Sequence, residues 1–193
     1  MNNYILTKLM LAGLVALFAL PIQASVISIT PSTSTVNVGQ SFSLNVNVSE
    51  ISDLYAFQFD LGYDPSVISA TSISEGGFLS TGGSTLFIGG TIDNANGTIS
   101  NTSDLLNGAI PGVTGSGILA TIDFTALTAG SSGVSFFNPI LLDSNGADII
   151  ANYSESTIVN VSAIPVPAAI WLLGSALMGL VGFSRRQHLA QFR

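Results

Sequence analysis

Apolar and polar side chains alternate along most of the chain between residues 26 and 161, and short turn-forming stretches separate the alternating runs. Three runs are the most regular: SFSLNVNV, LYAFQFDLGYD and GILATIDFTAL. The residues predicted to face inward are Phe42, Leu44, Val46 and Val48 in the first run, Tyr55, Phe57, Phe59 and Leu61 in the second, and Ile118, Ala120, Ile122, Phe124 and Ala126 in the third. A period of two is typical of a strand with one buried face. The pattern therefore predicts an all-β domain, an antiparallel β-sandwich of about nine strands.

Two Asn-Gly pairs fall between predicted strands, in DNANGT (93–98) and DSNGAD (143–148). Asparagine and glycine tolerate the positive φ angles that tight hairpin turns require. Both segments are therefore predicted to form hairpins.

The first 24 residues have the composition of a secretory signal peptide. Lys8 precedes the apolar run LMLAGLVALFAL, and the small residue Ala24 follows shortly after it. As a helix this run would span about 18 Å, whereas the apolar core of a bilayer is about 30 Å thick. We predict an exported protein that is cleaved after Ala24. An uncleaved N-terminal anchor is the alternative.

Charge is distributed unevenly along the chain. The four basic residues, Lys8, Arg185, Arg186 and Arg193, lie near the ends, and all eleven acidic residues lie between them. Nucleic-acid binding requires a basic surface, so the charge pattern excludes a nucleic-acid partner. The chain has no cysteine, which excludes disulfides and thiolate zinc sites.

Catalytic groups are scarce in the predicted domain. Residues 25–163 contain no His, Lys or Cys, so no serine there has a side-chain base to activate it. Glycoside hydrolysis needs only two carboxylates, and Asp60 with Asp64 is a plausible pair. However, Asp64 precedes Pro65, an order typical of the start of a turn. We predict that the protein is not an enzyme and assign no catalytic residue, with a glycoside-active enzyme as a remote alternative.

Calcium is the one cofactor that the sequence leaves open. Asp143, Asn145 and Asp148 offer the oxygen ligands that this cation prefers. An EF-hand loop starting at Asp143 would need glycine at its sixth position and glutamate at its twelfth, but Gly146 is fourth and Ser154 is twelfth. These three residues are therefore weak candidate calcium ligands, and a hairpin turn with acidic flanks is the alternative interpretation.

Several motifs follow one another in order along the predicted domain. They are Val38-Gly39 before a strand, Tyr63-Asp64-Pro65 after a strand with inward aromatic residues, a glycine-led strand ending in Phe124, Gly130 in the next turn, and the segment 143–146. In this order they resemble the cohesin domains and the related carbohydrate-binding modules of scaffoldins, and the resemblance covers residues 25–163. The resemblance implies a nine-stranded jelly roll that binds a partner on its surface. That partner is a dockerin module in cohesins and a polysaccharide in the related modules.

The C-terminal segment IPVPAAIWLLGSALMGLVGFSRR resembles the PEP-CTERM sorting signal of Gram-negative bacteria. The resemblance rests on the Pro165-Val166-Pro167 element, an apolar stretch and the arginines Arg185 and Arg186, although glutamate usually stands where Val166 does. It implies cleavage near the prolines by an exosortase-type protease. A transmembrane helix is predicted over about 167–184, with both arginines on the cytoplasmic side as a membrane stop. A permanent single-pass anchor is the alternative.

Three segments follow from these observations: a signal peptide (1–24), a cohesin-like β-sandwich (25–163) and a sorting segment (164–193). We predict a protein that is exported, held briefly at the inner membrane and released to the outer surface or extracellular matrix. Its domain would bind a surface protein, with a dockerin-like module as one such partner, or a polysaccharide. The second possibility would make it a carbohydrate-binding module that engages exopolysaccharide.

Overall fold

The computed structural model describes residues 24–154, residues 156–164 and five residues of the C-terminal segment. Its strands are β1 (Val26–Pro31), β2 (Thr35–Asn37), β3 (Ser41–Leu54), β4 (Ala56–Gly62), β5 (Ile68–Glu75), β6 (Thr91–Asp93), β7 (Thr98–Leu105), β8 (Val113–Ala126), β9 (Gly130–Leu142), β10 (Asn152–Tyr153) and β11 (Thr157–Ser162). A short 3-10 turn spans Leu79–Thr81. The prediction of an all-β sandwich is confirmed.

The strands form two sheets that pack face to face. The five-stranded sheet has the order β10-β1-β3-β8-β5, and the six-stranded sheet has the order β2-β11-β9-β4-β7-β6. Most neighbouring strands are antiparallel, as predicted, but β1 pairs in parallel with β10 and β2 pairs in parallel with β11. The sheets are therefore mixed, which corrects the purely antiparallel prediction. The structure has eleven strands where about nine were predicted, and three of them, β2, β6 and β10, have only two or three residues each.

The alternating pattern explains which side chains form the core. In β3, Phe42, Leu44, Val46 and Val48 all point inward and are at most 5% exposed. The core lies between the two sheets, where apolar side chains from both inner faces meet. At one end of it, Phe124 stacks on Phe42 with ring centroids 5.7 Å apart and meets Tyr63 edge to face.

One inward residue was predicted wrongly. The pairing of β3 with β8 shifts register between Val46 and Asn47, whose partners are Ala120 and Ile118. The residue between them, Leu119, is therefore inserted as a β-bulge and takes the buried position, with 1% exposure. Ile118 is only half-buried as a result.

Both predicted hairpins are confirmed. Strands β6 and β7 pair in register across the first Asn-Gly turn, where Gly97 has a φ of +67°. In the second, Leu142 bridges to Asp148 and Gly146 has a φ of +77°. Each glycine adopts the left-handed conformation that makes it the favoured residue at these positions.

The predictions for the two chain ends concern residues that lie mostly outside the described part of the chain. The signal peptide lies there up to its last residue, Ala24, which is exposed. In the predicted membrane segment, only Leu172, Leu173, Ser175, Ala176 and Met178 are described, all in helical conformation. Within the part of the chain that the structure describes, no helix is both long enough and apolar enough to cross a membrane.

Candidate partner-binding surface

The outer faces of the two sheets differ in chemistry. The five-stranded sheet presents hydroxyl, amide and carboxylate groups from Ser28, Thr30, Ser43, Asn45, Asn47, Ser72, Thr121 and Asp123. These side chains bond to one another across the strands. The hydroxyls of Ser43 and Ser72 donate to Asp123 at 2.6 and 2.8 Å, and these hydrogen bonds lower the pKa of its carboxyl group. Such a face is well solvated and needs no cover.

The six-stranded sheet is apolar on its outer side. Residues 84–90, which we call the edge segment, directly precede β6 in the chain. They run antiparallel to β7 and continue the line of β6 along it. Backbone bonds between Ile88 and Ser103, and from Leu86 N to Leu105 O, fix the alignment. Seven apolar side chains on the outer side of β4, β7, β9 and the edge segment make up what we call the apolar outer face: Ala56, Leu86, Ile88, Leu105, Phe137, Ile140 and Leu142. On the same side of the sheet, β11 adds the exposed Ile158, which is not counted in this face.

Strand pairing arranges the apolar outer face in rows. Leu86 lies opposite Leu105, and the row continues across β4 and β9 through Ala56 and Leu142. The next row has apolar side chains at both ends, where Ile88 is 51% and Ile140 is 42% exposed. Its centre is polar, with Ser103 and Gln58 between the two isoleucines.

A shallow groove of about 280 Å³ crosses β7, β4 and β9 between these rows. Leu105, Ile140 and Leu142 give it apolar walls, whereas Gln58 and Ser103 provide hydrogen-bonding groups. An apolar surface with a few polar groups is typical of the core of a protein interface. The arrangement can therefore receive an apolar side chain or helix face from a partner.

Phe137 lies in a third row, next to the row that contains Ile88 and Ile140. Here the pairing of β4 with both of its neighbouring strands is irregular. Asp60 lies opposite Phe137, and the pairing of β4 shifts register on both sides near this residue. Two asparagines adopt positive φ angles at these bulges, Asn101 on β7 and Asn138 on β9. The backbone N–H of Asn101 donates to Asp60 at 2.6 Å, which fixes one bulge. Bulges commonly re-aim a side chain at a functional edge.

The ring of Phe137 lies over Gly62, at the end of β4. A Cβ atom at position 62 would overlap this ring, so the ring would have to turn aside if any other residue replaced Gly62. The phenyl ring is nevertheless 52% exposed, which leaves an aromatic face available at the surface. Aromatic residues of this kind are over-represented at the energetic centres of interfaces.

On the inner side of β7, a carboxyl group is buried behind the apolar outer face. Asp104 is 1% exposed, and its Oδ2 atom has no hydrogen-bond partner among the described residues. Its Oδ1 atom accepts the backbone N–H of Leu105 at 2.9 Å. Burial, together with the nearby negative charge of Glu75 at the end of β5, raises the pKa of Asp104 to about 7.

The weak candidate calcium ligands Asp143, Asn145 and Asp148 lie in the hairpin turn between β9 and β10. Asp143 is occupied by its own turn, because its Oδ1 atom accepts the backbone N–H groups of Asn145 and Ala147 at 2.9 and 2.8 Å. No cluster of three or more acidic, His or Cys side chains suited to a metal occurs within the described residues. The turn interpretation is the one that the hydrogen bonds support. Asp148 continues the hairpin through its bridge to Leu142.

Asp53, near the end of β3, tethers the same turn to the loop before β8. Its Oδ2 atom accepts the hydroxyl of Ser144 at 2.7 Å, and its Oδ1 atom accepts the backbone N–H of Gly112 at 2.7 Å. These bonds lower the pKa of Asp53. They hold the turn and the loop to the end of β3.

Asp60 and Asp64, the plausible carboxylate pair for glycoside hydrolysis, each have a structural role. Asp60 fixes the bulge beside Phe137, as described above. Asp64 begins a turn, where its Oδ1 atom accepts the N–H and hydroxyl groups of Ser66 at 2.9 and 2.6 Å. These bonds lower the pKa of Asp64. The turn predicted at Asp64-Pro65 is confirmed.

The sorting residues Pro165, Val166, Pro167, Arg185 and Arg186 lie outside the described residues.

Polysaccharide binders commonly stack sugars on a row of aromatic rings. Within the described part of the chain, the large exposed aromatic residues are Phe137 on β9 and Tyr153 on β10. The Tyr153 hydroxyl donates to the carbonyl oxygen of Pro139 on β9 at 3.5 Å.

Sequence reasoning missed the apolar outer face. Regular alternation assigns one face of each strand to solvent, but Phe136-Phe137 and Ile140-Leu141-Leu142 are apolar on both faces of β9. The run TLFIGG (85–90) has the same property. Consecutive apolar residues in a sandwich with one solvated side were the signal available in the sequence.

The cohesin domain family model matches residues 27–161, which is most of the chain. The chain belongs to the cohesin family. Cohesin domains are non-enzymatic protein–protein interaction modules, so the prediction that this protein is not an enzyme is confirmed. The comparison with curated proteins returns no match.

Solved cohesin modules share the fold at low sequence identity. The second type II cohesin module from the adaptor scaffoldin ScaA of Acetivibrio cellulolyticus is 21% identical, with a TM-score of 0.62 over 73% of this chain and 99% of that module. The sixth cohesin from scaffoldin B of the same organism, solved in complex with a dockerin, is 19% identical, with a TM-score of 0.58 over 72% and 100%. A non-cellulosomal cohesin from the archaeon Archaeoglobus fulgidus is 12% identical, with a TM-score of 0.56 over 76% and 96%.

Each of these modules is matched over at least 96% of its own length. The β-sandwich of this chain therefore corresponds to a complete cohesin module with its own core. Residues 25–163 are accordingly a suitable unit for expression and measurement.

Proposed function

We propose that this cohesin domain binds a protein partner through the apolar outer face of its six-stranded sheet. The observation that carries the proposal is the exposure of five large apolar side chains on one side of one sheet, at 37–56% each: Leu86, Ile88, Leu105, Phe137 and Ile140. Contiguous apolar patches are uncommon on the surfaces of soluble domains, and where they occur they mark interaction sites.

A dockerin-like module is the partner class that best fits the family. Two cohesins with this fold, both from Acetivibrio cellulolyticus, are described in complexes with dockerins. The groove across β7, β4 and β9 suits a helix that inserts apolar side chains. Because the domain carries only negative charge, basic residues beside that helix would add to the attraction.

A double variant tests the surface. We expect Ile88→Ser combined with Ile140→Ser to weaken binding of the partner at least tenfold, because two exposed side chains of the apolar outer face would lose their apolar contacts with the partner. Immobilised domain (25–163) would be incubated with a surface-protein extract of the source organism. The retained protein would then be purified and its affinity for each variant measured by calorimetry.

Leu127→Ser is the matched control. Leu127 is 46% exposed but lies in the turn between β8 and β9, away from the apolar outer face. Leu127→Ser should therefore leave the affinity of the domain for the partner unchanged. Equal binding by the double variant and the wild-type domain would contradict the proposed surface. Retention by purified exopolysaccharide instead of protein would favour the carbohydrate-binding alternative.

We further propose that the domain acts outside the cytoplasm. The signal-peptide pattern of residues 1–24 and the resemblance of residues 164–193 to a PEP-CTERM signal support export and processing by an exosortase-type protease. Export would place a domain with uncompensated negative charge at the cell surface or in the exopolysaccharide matrix. Its solubility there would be helped by that charge.

Intact-mass analysis of the surface form tests the processing. We expect the mature protein to begin near Ser25 and to lack the residues beyond about Pro167, because the two prolines of Pro165-Val166-Pro167 disfavour a helix and a protease binds its substrate in an extended conformation. Peptides that contain His188 and Phe192 should be absent. Their presence in the mature protein would show a permanent membrane anchor.

A further inference from the structure

Asp60 places a negative charge beside the apolar outer face. It stands on β4 between the buried residues Phe59 and Leu61, so alternation puts its side chain on the outer side of the sheet, where it is half-buried. Residues 9–184 contain no Lys, Arg or His, so no basic side chain of the domain can pair with it. The charge is therefore left for a group outside the domain to neutralise.

Hydrogen bonds from two neighbouring strands hold this carboxylate in place. Its Oδ1 atom accepts the backbone N–H of Asn101 at 2.6 Å, and its Oδ2 atom lies 3.4 Å from Nδ2 of Asn138, a long contact. A carboxylate can accept about four hydrogen bonds, so Oδ2 keeps the capacity to accept from a further donor. The group is thus oriented before any partner arrives, which lowers the entropy cost of binding.

Phe137 adds an aromatic surface next to the same carboxylate. Asp60 and Phe137 are paired across β4 and β9, and side chains paired in this way are neighbours on one face of a sheet. The ring leans over Gly62 and is 52% exposed. A fixed carboxylate and an open aromatic ring therefore adjoin each other at the surface.

This combination suits a guanidinium group. Its planar fork donates two hydrogen bonds to a carboxylate, and its flat side stacks on an aromatic ring. The exposed amide groups of Asn101 and Asn138 can accept from its remaining N–H groups. A lysine ammonium has the same charge but no planar group to stack, so the arrangement favours arginine.

We propose that Asp60, Phe137, Asn101 and Asn138 form a subsite that binds an arginine side chain of the protein partner. We call these four residues the arginine subsite. It adjoins the row that contains Ile88 and Ile140, so a helix lying in the groove could place an arginine there. As partner recognition this inference rests on the proposed function, but the subsite itself can be tested without the partner.

NMR titration of the ¹⁵N-labelled domain (25–163) with N-acetyl-arginine amide tests the subsite. We expect saturable shifts of the Asn101, Phe137 and Asn138 amides, with a dissociation constant in the millimolar range because a single side chain is bound. N-acetyl-citrulline amide, which has nearly the same shape but no charge, should cause no such shifts. N-acetyl-lysine amide should bind more weakly than the arginine probe.

Asp60→Asn should abolish these shifts. The asparagine oxygen can still accept the Asn101 N–H, so the bulge should be kept while the charge is lost. Asp123→Asn is the matched control, because it removes the same charge on the opposite sheet and should leave the titration unchanged. Phe137→Leu keeps an apolar side chain but lacks the aromatic ring, and should weaken binding of the arginine probe about threefold.

The proposal is overturned if the arginine probe causes no saturable shifts at these amides. It is equally overturned if citrulline or lysine amide binds as tightly, or if Asp60→Asn binds the arginine probe like the wild type. The partner, once purified, provides a second readout. Asp60→Asn should weaken its binding at least fivefold and reduce the dependence of affinity on salt.

The two proposals fail separately. Ile88→Ser with Ile140→Ser leaves all four residues of the arginine subsite in place, so this double variant should still bind the arginine probe. Failure of the double variant to lose partner affinity would contradict the partner-binding surface but not the titration. If the double variant loses affinity for the partner while Asp60→Asn keeps it in full, the arginine subsite is wrong and the surface stands.

Discussion

Truncation of Phe124 to alanine is expected to lower the free energy of unfolding by about 3–5 kcal/mol. Phe124 is fully buried on β8, where it stacks on Phe42 and meets Tyr63 edge to face with ring centroids 5.2 Å apart. Alanine would lose both aromatic contacts and leave a cavity between the sheets. Urea denaturation followed by far-UV circular dichroism measures the effect, since Trp171 lies outside the domain and provides no fluorescence signal in residues 25–163.

Phe137→Ala is the control for that measurement. The same atoms are removed, but from a ring that is half exposed over Gly62. We expect a loss of less than about 1 kcal/mol, as is usual for surface positions. An equal loss in the two variants would contradict the placement of Phe124 in the core and of Phe137 at the surface.

A methyl group at position 76 should be almost as damaging as the loss of Phe124. Gly76 is buried after β5, and a Cβ atom there would overlap the backbone of Ile118 and Leu119. The Gly76 N–H donates to Leu119 O at 2.8 Å, so the two segments cannot separate without losing this bond. We expect Gly76→Ala to destabilise the domain by about 2–3 kcal/mol, because backbone cannot move aside as a side chain can.

The next residue provides a matched comparison. A Cβ atom on Gly77 would meet no atom within 4 Å, and its φ is not in the left-handed region. Gly77→Ala changes the entropy of the unfolded chain as much as Gly76→Ala does, so the difference between the two reports the folded state alone. We expect it to be neutral or slightly stabilising in thermal denaturation. Similar melting temperatures for both variants would refute the close approach at position 76.

Much of the fold could be predicted from residue periodicity, because each strand buries alternate side chains. Phe57, Phe59 and Leu61 are inward as predicted, and the two Asn-Gly turns close hairpins. Register was not predictable where a bulge intervenes. Leu119 replaces Ile118 in the core because one inserted residue reverses the alternation, and the period of two carries no sign of it.

The binding surface and the buried acid depend on contacts between distant segments. Leu86 and Leu105 become neighbours only when the edge segment pairs with β7, which alternation within either segment cannot reveal. Asp104 occupies an apolar inward position of its strand, yet nothing in the sequence shows that Glu75 would lie beside it. Conversely, the resemblance to cohesins was recognisable from motif order alone, and the family match over residues 27–161 confirms it.

The parallel pairings join the beginning of the domain to its end. Val26 pairs with Asn152, and Val36 pairs with Val161, so both early strands take partners from the last residues of the sandwich. During synthesis, neither sheet can be completed until the chain has been made to about residue 162. Such non-local closure slows folding. This topology would suit the proposed export, because a chain that completes its sheets late stays unfolded for longer, and a secretion channel passes unfolded chains.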